Sequence, residues 1–411
     1  MQRLQRADKF LGAVACALLQ PLRLFRATRP PPPRKILLVK FWGIGSLQML
    51  TPAVAVLRER HPGARLALLT LRQNEEFARG LAVFDEIRTL DVSAPEDVRG
   101  WAAIFARIAR LVLDLRRGRF DRVIDFEFFT RFSALVSLLS GAGETLGFAA
   151  PGVWRGNFHT RTVPFDRSWH VARNFRALAG GEDGRPVGSL SPYPLRTIDQ
   201  ASVVGKLDRA AVPCDLPIAV LNPNAGALAL ERRWPAASFA ALARRLALED
   251  GIPVVLVGSA EERAYVAGIA RAARGLPEGY LTDLSGELSI GELAALLARA
   301  GVLVTNDSGP MHLGAALGAP TVALFGPETP AMYAPLGPRV AVLWRPPPCS
   351  PCINVHENKV LNCVRGMPEC LTSLSVETMI AAARAGLAGS RPEGPRRRIP
   401  AVATLAGGGR T

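Results

Sequence analysis

Residues 302–327 permit few folds. A buried apolar run, Val302-Leu303-Val304-Thr305, ends in Asn306-Asp307-Ser308-Gly309, a short helix rich in Ala, Leu and Gly follows, and β-branched Thr321-Val322 opens the next strand. The polar turn between strand and helix is an anion site. Asp307 or Ser308 can cap the helix, Gly309 lets the backbone come close to a ligand, and Pro310 suits the first helical turn. Free N–H groups and the helix dipole then face an incoming phosphate, with His312 beside it in the first turn.

The same alternation of strand and helix runs through the chain. Strands are expected near 36–41, 64–70, 86–92, 122–128 and 144–148, with helices near 47–60, 96–117, 131–140 and 167–179. Residues 181–200 are dense in Gly, Pro and Ser and lack periodicity, which marks a linker. A second series begins at 218–221 and continues with strands at 253–257, 280–284, 302–305, 321–325 and 340–344, and helices at 236–249, 260–273, 289–299 and 310–317. The expectation is an α/β chain of two Rossmann-like domains, over 35–190 and 200–387, facing each other across a cleft. Residues 1–34 hold a helix and the stiff spacer Pro30-Pro31-Pro32-Pro33, and 388–411 read as a disordered basic tail. Ligands in such sheets lie outside the carboxyl ends of the strands, so 41–46, 125–130, 222–226, 258–262 and 305–309 should line the cleft.

These segments resemble glycosyltransferase family 9, the heptosyltransferases. The resemblance is carried by Asn306-Asp307-Ser308-Gly309-Pro310-Met311-His312, by Leu284-Ser-Gly-Glu-Leu-Ser-Ile-Gly-Glu-Leu293, by Asn222-Pro-Asn-Ala-Gly226 with Arg232-Arg-Trp-Pro235, and by Lys35-Ile-Leu-Leu-Val-Lys-Phe-Trp-Gly-Ile-Gly-Ser46. It spans roughly 35 to 385. It implies the GT-B architecture and an inverting, metal-independent transfer of a sugar, heptose or related, from a nucleotide-diphosphate donor to a lipid-linked or lipopolysaccharide-type glycan. The lack of any Asp-x-Asp agrees with the metal-free mode, in which the helix N-terminus, Arg232 and His312 stabilise the leaving diphosphate. The donor set expected from the resemblance is Asn224, Gly226, Arg232, Glu262, Asp307, Ser308, Gly309 and His312. Arg232 stands where relatives often carry Lys, and Glu262 where they carry an acidic residue near the ribose.

The acceptor half departs from the pattern. Where the family has Lys-x-x-x-x-Gly-Asp, with the Asp regarded as the base, this chain reads Lys40-Phe-Trp-Gly-Ile-Gly45-Ser46. A serine hydroxyl is no base near neutral pH without an activating partner. Strand-end logic offers Asp125 and Glu127 instead, with Glu127 nearer the cleft and preferred as the base. A Glu127–Arg131 pair that merely shapes the loop is the competing reading. Burial of Glu127 in an ion pair would favour a donor-binding protein without turnover. His159, His170 and Arg173 are candidate acceptor contacts or a solvated loop. Gly43-Ile44-Gly45 hints at a dinucleotide fold, but the third Gly and the acidic end of the second strand are missing.

Charge and cysteines bound the partners. Lys plus Arg is 50 against 35 for Asp plus Glu, a net +15, which fits phosphorylated substrates or an anionic membrane surface. Nucleic acid is disfavoured, since no recognition motif accompanies the charge. Leu4, Ala7, Leu11, Val14, Leu18, Leu22 and Phe25 recur at helical spacing among basic residues, either as a helix packed on the protein or as one lying in the inner-membrane interface. The apolar run is too short to span a membrane and no clean cleavage site follows it, so a cytoplasmic chain, peripheral at most, is expected. Cys349, Cys352, Cys363 and Cys370 fall within 22 residues, a spacing that permits a four-thiolate zinc site or a thiol-packed knot. No other cofactor is expected.

Overall fold

The computed structural model describes residues 2–21, 32–41, 43–91, 98–128, 130–149, 151–181, 187, 189–226, 229–353 and 363–388. Its strands form two all-parallel sheets. The first contains β1 (Lys35–Val39), β2 (Arg65–Leu71), β3 (Glu86–Leu90), β4 (Arg122–Asp125), β5 (Glu144–Ala149) and β6 (Arg161–Pro164), in the order β3-β2-β1-β4-β5-β6. The second contains β7 (Ile218–Asn222), β8 (Val254–Leu256), β9 (Leu281–Asp283), β10 (Ala300–Asn306), β11 (Thr321–Phe325) and β12 (Val340–Trp344), in the order β12-β11-β10-β7-β8-β9. Renumbered within its own sheet, the second order repeats the first, so both are doubly wound with a switch point between their first and fourth strands. Val39 pairs with Asp125 at one switch point and Asn222 with Thr305 at the other.

The strands are near-continuous apolar runs because helices cover both faces. Around the first sheet stand α1 (Gln2–Leu18), α2 (Ile44–Arg60), α3 (Glu75–Gly80), α4 (Val98–Gly118), α5 (Arg131–Leu139) and α6 (Val171–Leu178). Around the second stand α7 (Thr197–Arg209), α8 (Ala236–Leu248), α9 (Arg263–Ala272), α10 (Ile290–Arg299), α11 (Gly309–Ala316), α12 (Pro330–Tyr333), α13 (Glu369–Thr372) and α14 (Val376–Ala388). One apolar cluster crosses between the lobes, from Leu47 and Phe175 to Leu296 and Met311. The two sheets are thereby joined through packed side chains as well as through the chain itself.

Several elements depart from the sequence expectations. β6, α3, α7, α12, α13 and α14 were not anticipated; each is short or only weakly periodic, and α7 begins inside the expected linker. β4 stops at Asp125, so Phe126 and Glu127 lie past the strand. The tail from 389 onward and residues 22–31 lie outside the described residues. No helix among the described residues is long and apolar enough to cross a membrane.

Candidate active site

The turn after β10 lies at the switch point of the second sheet. Ser308 is the N-cap of α11 in extended backbone, yet its side chain makes no capping bond. Its hydroxyl instead accepts from Asn222 Nδ2 at 2.8 Å, and the same amide group reaches Thr305 Oγ1 at 2.9 Å. Asn306 is held by the Trp234 N–H and by the Pro223 carbonyl. The turn is therefore fixed from behind, leaving the helix N-terminus without a side-chain cap. Arg232 reaches in from the side, 3.3 Å from Asp307 Oδ2 and bonded to the Ala225 carbonyl at 2.6 Å.

Several buried polar atoms here have no partner within the protein: Asn224 Oδ1, Arg232 Nε, His312 Nδ1 and Tyr333 Oη. Buried polar groups are normally paired, so a cluster of exceptions at one strand-end site is what a polar ligand would satisfy. Burial, followed by the neighbouring His170, pushes the His312 imidazole down to about 3, so its ring is neutral at physiological pH. It can donate or accept a hydrogen bond but brings no charge of its own. Burial, then Glu328 and Asp307, raises the Tyr333 hydroxyl and keeps it protonated. Gly226 turns the chain with φ at +68° at the end of the Asn222 turn. Glu262 sits at the β8 end, where its carboxylate accepts from the Ser259 N–H at 3.0 Å and lies 3.6 Å from Arg233.

The first sheet presents its own helix N-terminus to this turn. α2 begins after Gly43 with no side-chain cap. A Cβ on Gly45 would stand 2.7 Å from His312 Cδ2, and one on Gly309 would stand 2.3 Å from Ile44 Cγ1, so only glycine lets the two turns meet. Two uncapped helix N-termini thus converge, each the positive end of a dipole. A polyanion bound between them would relieve their mutual repulsion. Ser46 lies in this first turn of α2, half-buried.

Asp125 and Glu127, expected as cleft-lining carboxylates, are buried in the scaffold. Glu127 Oε1 accepts from Lys40 Nζ at 2.8 Å and from the Phe41 N–H at 2.6 Å, and Lys40 lies over the Phe128 ring at 4.7 Å. Past the end of β4 this carboxylate is held beside Lys40 and Phe41, the residues that follow β1, and only 1% of the residue is exposed. Arg131 lies against α1, where a Cβ on Gly12 would stand 3.0 Å from the arginine's own Cβ. Burial would raise the Asp125 carboxyl, but Arg155, His159 and Ser133 hold it below its ordinary value. Both carboxylates are thus engaged by buried partners and do not line the cleft as expected.

Residues 108–363 match the model of glycosyltransferase family 9 (heptosyltransferase), which is more than half of the chain. This chain belongs to glycosyltransferase family 9. Lipopolysaccharide heptosyltransferase 2 of Escherichia coli K12 is 38% identical over 319 residues, covering 75% of this chain and 87% of that protein. Among solved structures, E. coli ADP-heptose LPS heptosyltransferase II matches with a TM-score of 0.70 at 22% identity over 87% of this chain and 99% of that one. E. coli heptosyltransferase WaaC with ADP matches with a TM-score of 0.61 at 21% identity over 86% of this chain and 99% of that one.

In this family 9 member the remaining candidates have structural duties. His159 is buried with Nε2 3.3 Å from Asp125, and the Arg173 guanidinium stacks 3.7 Å over Trp169, so neither is a solvated loop residue. His170 caps α6 through Nδ1 and spans to the Ala334 carbonyl of the second lobe at 2.9 Å. All six cysteines are free, and Cys349, Cys352, Cys363 and Cys370 border one cavity. Among the described residues no three His, Cys, Asp or Glu side chains are placed to hold a metal ion. Tyr333 and Lys40 were missed as site-forming residues. Lys40 was legible in the quoted loop, whereas nothing near Tyr333 in sequence marks it.

Proposed function

We propose that this glycosyltransferase moves a heptose or related sugar from a nucleotide-diphosphate donor to a hydroxyl of a lipopolysaccharide-type acceptor, with inversion. The acceptor oxygen bonds to the anomeric carbon as the bond to diphosphate breaks; the diphosphate keeps the electron pair and the acceptor proton passes to a base. The convergence of two uncapped helix N-termini at Gly45 and Gly309 carries this reading, because it supplies positive potential where the leaving diphosphate develops charge. Arg232 adds a charged donor, and the neutral His312 a hydrogen bond, so the chain's own groups take the part of a divalent cation. ADP is the favoured nucleotide because a related heptosyltransferase was solved with it. Six unpaired cysteines fit a reducing, cytoplasmic setting.

A second reading, donor binding without turnover, is favoured by one observation: Ser46 replaces the family carboxylate while Glu127 and Asp125 are engaged in buried networks. The deciding experiment incubates the full chain with ADP-heptose and with UDP- and GDP-sugars, reading thermal shift and nucleotide release with and without a lipopolysaccharide-type acceptor. A donor at a hundred times its Kd stabilises the fold by about 2.7 kcal/mol, a shift of several degrees. Stabilisation by ADP-heptose with acceptor-dependent ADP release is the expected result. Stabilisation without release selects the second reading, and no stabilisation by any nucleotide sugar removes both.

A further inference from the structure

α1 has two unlike faces. Its inner face is fastened to α5: Asp8 accepts from the Arg131 and Phe132 N–H groups at 3.1 and 2.7 Å, capping the N-terminus that α5 would otherwise present. A Cβ on Gly12 would stand 3.0 Å from Arg131 Cβ, Cys16 packs with Ala134, Leu138 and Phe158, and Gln20 bonds the Gly156 carbonyl at 2.6 Å. The outer face is apolar. Phe10, Leu11, Val14 and Leu18 are between 57% and 74% exposed, and helical geometry places them within an arc of about 100°. Four large exposed hydrophobics within nine residues form a patch and not the usual scatter of single surface residues.

Charge identifies what would cover this patch. Residues 1–29 contain six basic side chains, Arg3, Arg6, Lys9, Arg23, Arg26 and Arg29, and one carboxylate, Asp8. That carboxylate is turned inward onto α5. Nothing acidic in the segment is left to oppose a negative surface. A second copy of the chain would bring the same basic set against itself across a symmetric contact. We propose that α1 docks the protein on an anionic lipid surface, entering the interface through Phe10, Leu11, Val14 and Leu18. Because Asp8 locks α1 to the first turn of α5, which follows the carboxyl end of β4, the docked side is the cleft edge of the first lobe. On the same sheet face α4 exposes Phe105 and Leu113 beside exposed Arg110, Arg116 and Arg117.

The test uses the full chain and co-sedimentation with two vesicles, phosphatidylcholine mixed with phosphatidylglycerol and phosphatidylcholine alone. Wild type should bind the anionic vesicles, and added salt should weaken that binding. The variant F10Q/L11Q/V14Q/L18Q should bind at least about tenfold less while keeping its unfolding midpoint, since all four side chains face outward. Deleting residues 1–29 would also remove the Asp8 cap, so the substitutions are the cleaner probe. No binding by wild type, equal binding to both vesicles, or equal binding by wild type and variant overturns the proposal. Lipid-free self-association that the variant abolishes would overturn it too, assigning the stripe to a second copy.

Discussion

The switch point after β7 and β10 and the switch point after β1 and β4 occupy equivalent places in two sheets of the same winding, yet they use their polar groups in opposite ways. In the second lobe, Asn222 and Asn306 brace the turn from behind while Asn224, Arg232, His312 and Tyr333 keep buried polar atoms unpaired within the protein. In the first lobe, Lys40, Glu127, Asp125, Arg155 and Ser133 bond one another beneath the cleft floor. The contrast teaches that position at a switch point does not make a carboxylate functional. What counts is whether the scaffold has already engaged it.

The largest effect should come from breaking the engaged network. Glu127→Gln removes the counter-charge of a buried ammonium, and loss of one partner of such a pair costs about 3–5 kcal/mol. Denaturant unfolding should show that loss, and Lys40→Met added to Glu127→Gln should recover much of it. A Glu127→Gln protein as stable as its parent but slow in transfer would revive Glu127 as the base and erase the contrast.

Next in size is the junction of the two turns. Gly309→Val drives a side chain into Ile44, and overpacking of about 1–3 kcal/mol corresponds to roughly tenfold to hundredfold weaker nucleotide-sugar binding. Calorimetric titration checks this, and unchanged affinity would detach the donor from the turn.

His312 gives a graded, pH-dependent effect. The folded ring stays neutral down to about 3, whereas the unfolded ring takes a proton near 6.5, so between these values the unfolded state binds more protons. The stability His312 contributes is complete above 6.5 and lost as pH falls through that window, by at most about 1.4 kcal/mol per pH unit. His312→Gln should flatten the acid decline in unfolding midpoint relative to wild type; parallel curves would show that the ring is not held neutral.

Ser46→Ala should be the mildest, within about 0.5 kcal/mol in stability and with donor affinity preserved. A large loss of turnover in that variant would place chemistry on the hydroxyl and sharpen the first-lobe turn into a site of its own.

The strand-turn-helix at β10 and α11 was readable in sequence because its parts are contiguous: strand, Asn306 to Gly309, and helix follow one another within a dozen residues. The fate of Glu127 was not, because its partner Lys40 lies 87 positions away and alternation along β4 no longer applies once the strand ends at Asp125. The Arg131 alternative missed the same point, since that residue faces α1, whose docking to α5 is a long-range event. Apolar period found most of the longer helices and the central strands but missed α7 and α14, whose apolar faces are weakly periodic. It failed for α3, β6 and α12, which are too short to establish one.

His170 joins the lobes with a single ring whose two nitrogens have fixed assignments: Nδ1 accepts from the Ala172 N–H, so Nε2 must donate to Ala334 across the cleft. Burial holds the ring below its ordinary 6.5, the bond to Ala334 opposing that shift only in part. Swinging the lobes apart breaks this tie and wets the ring, returning it toward its ordinary basicity. Mild acid would therefore act on the molecule as a wedge, favouring any arrangement in which this tie is parted.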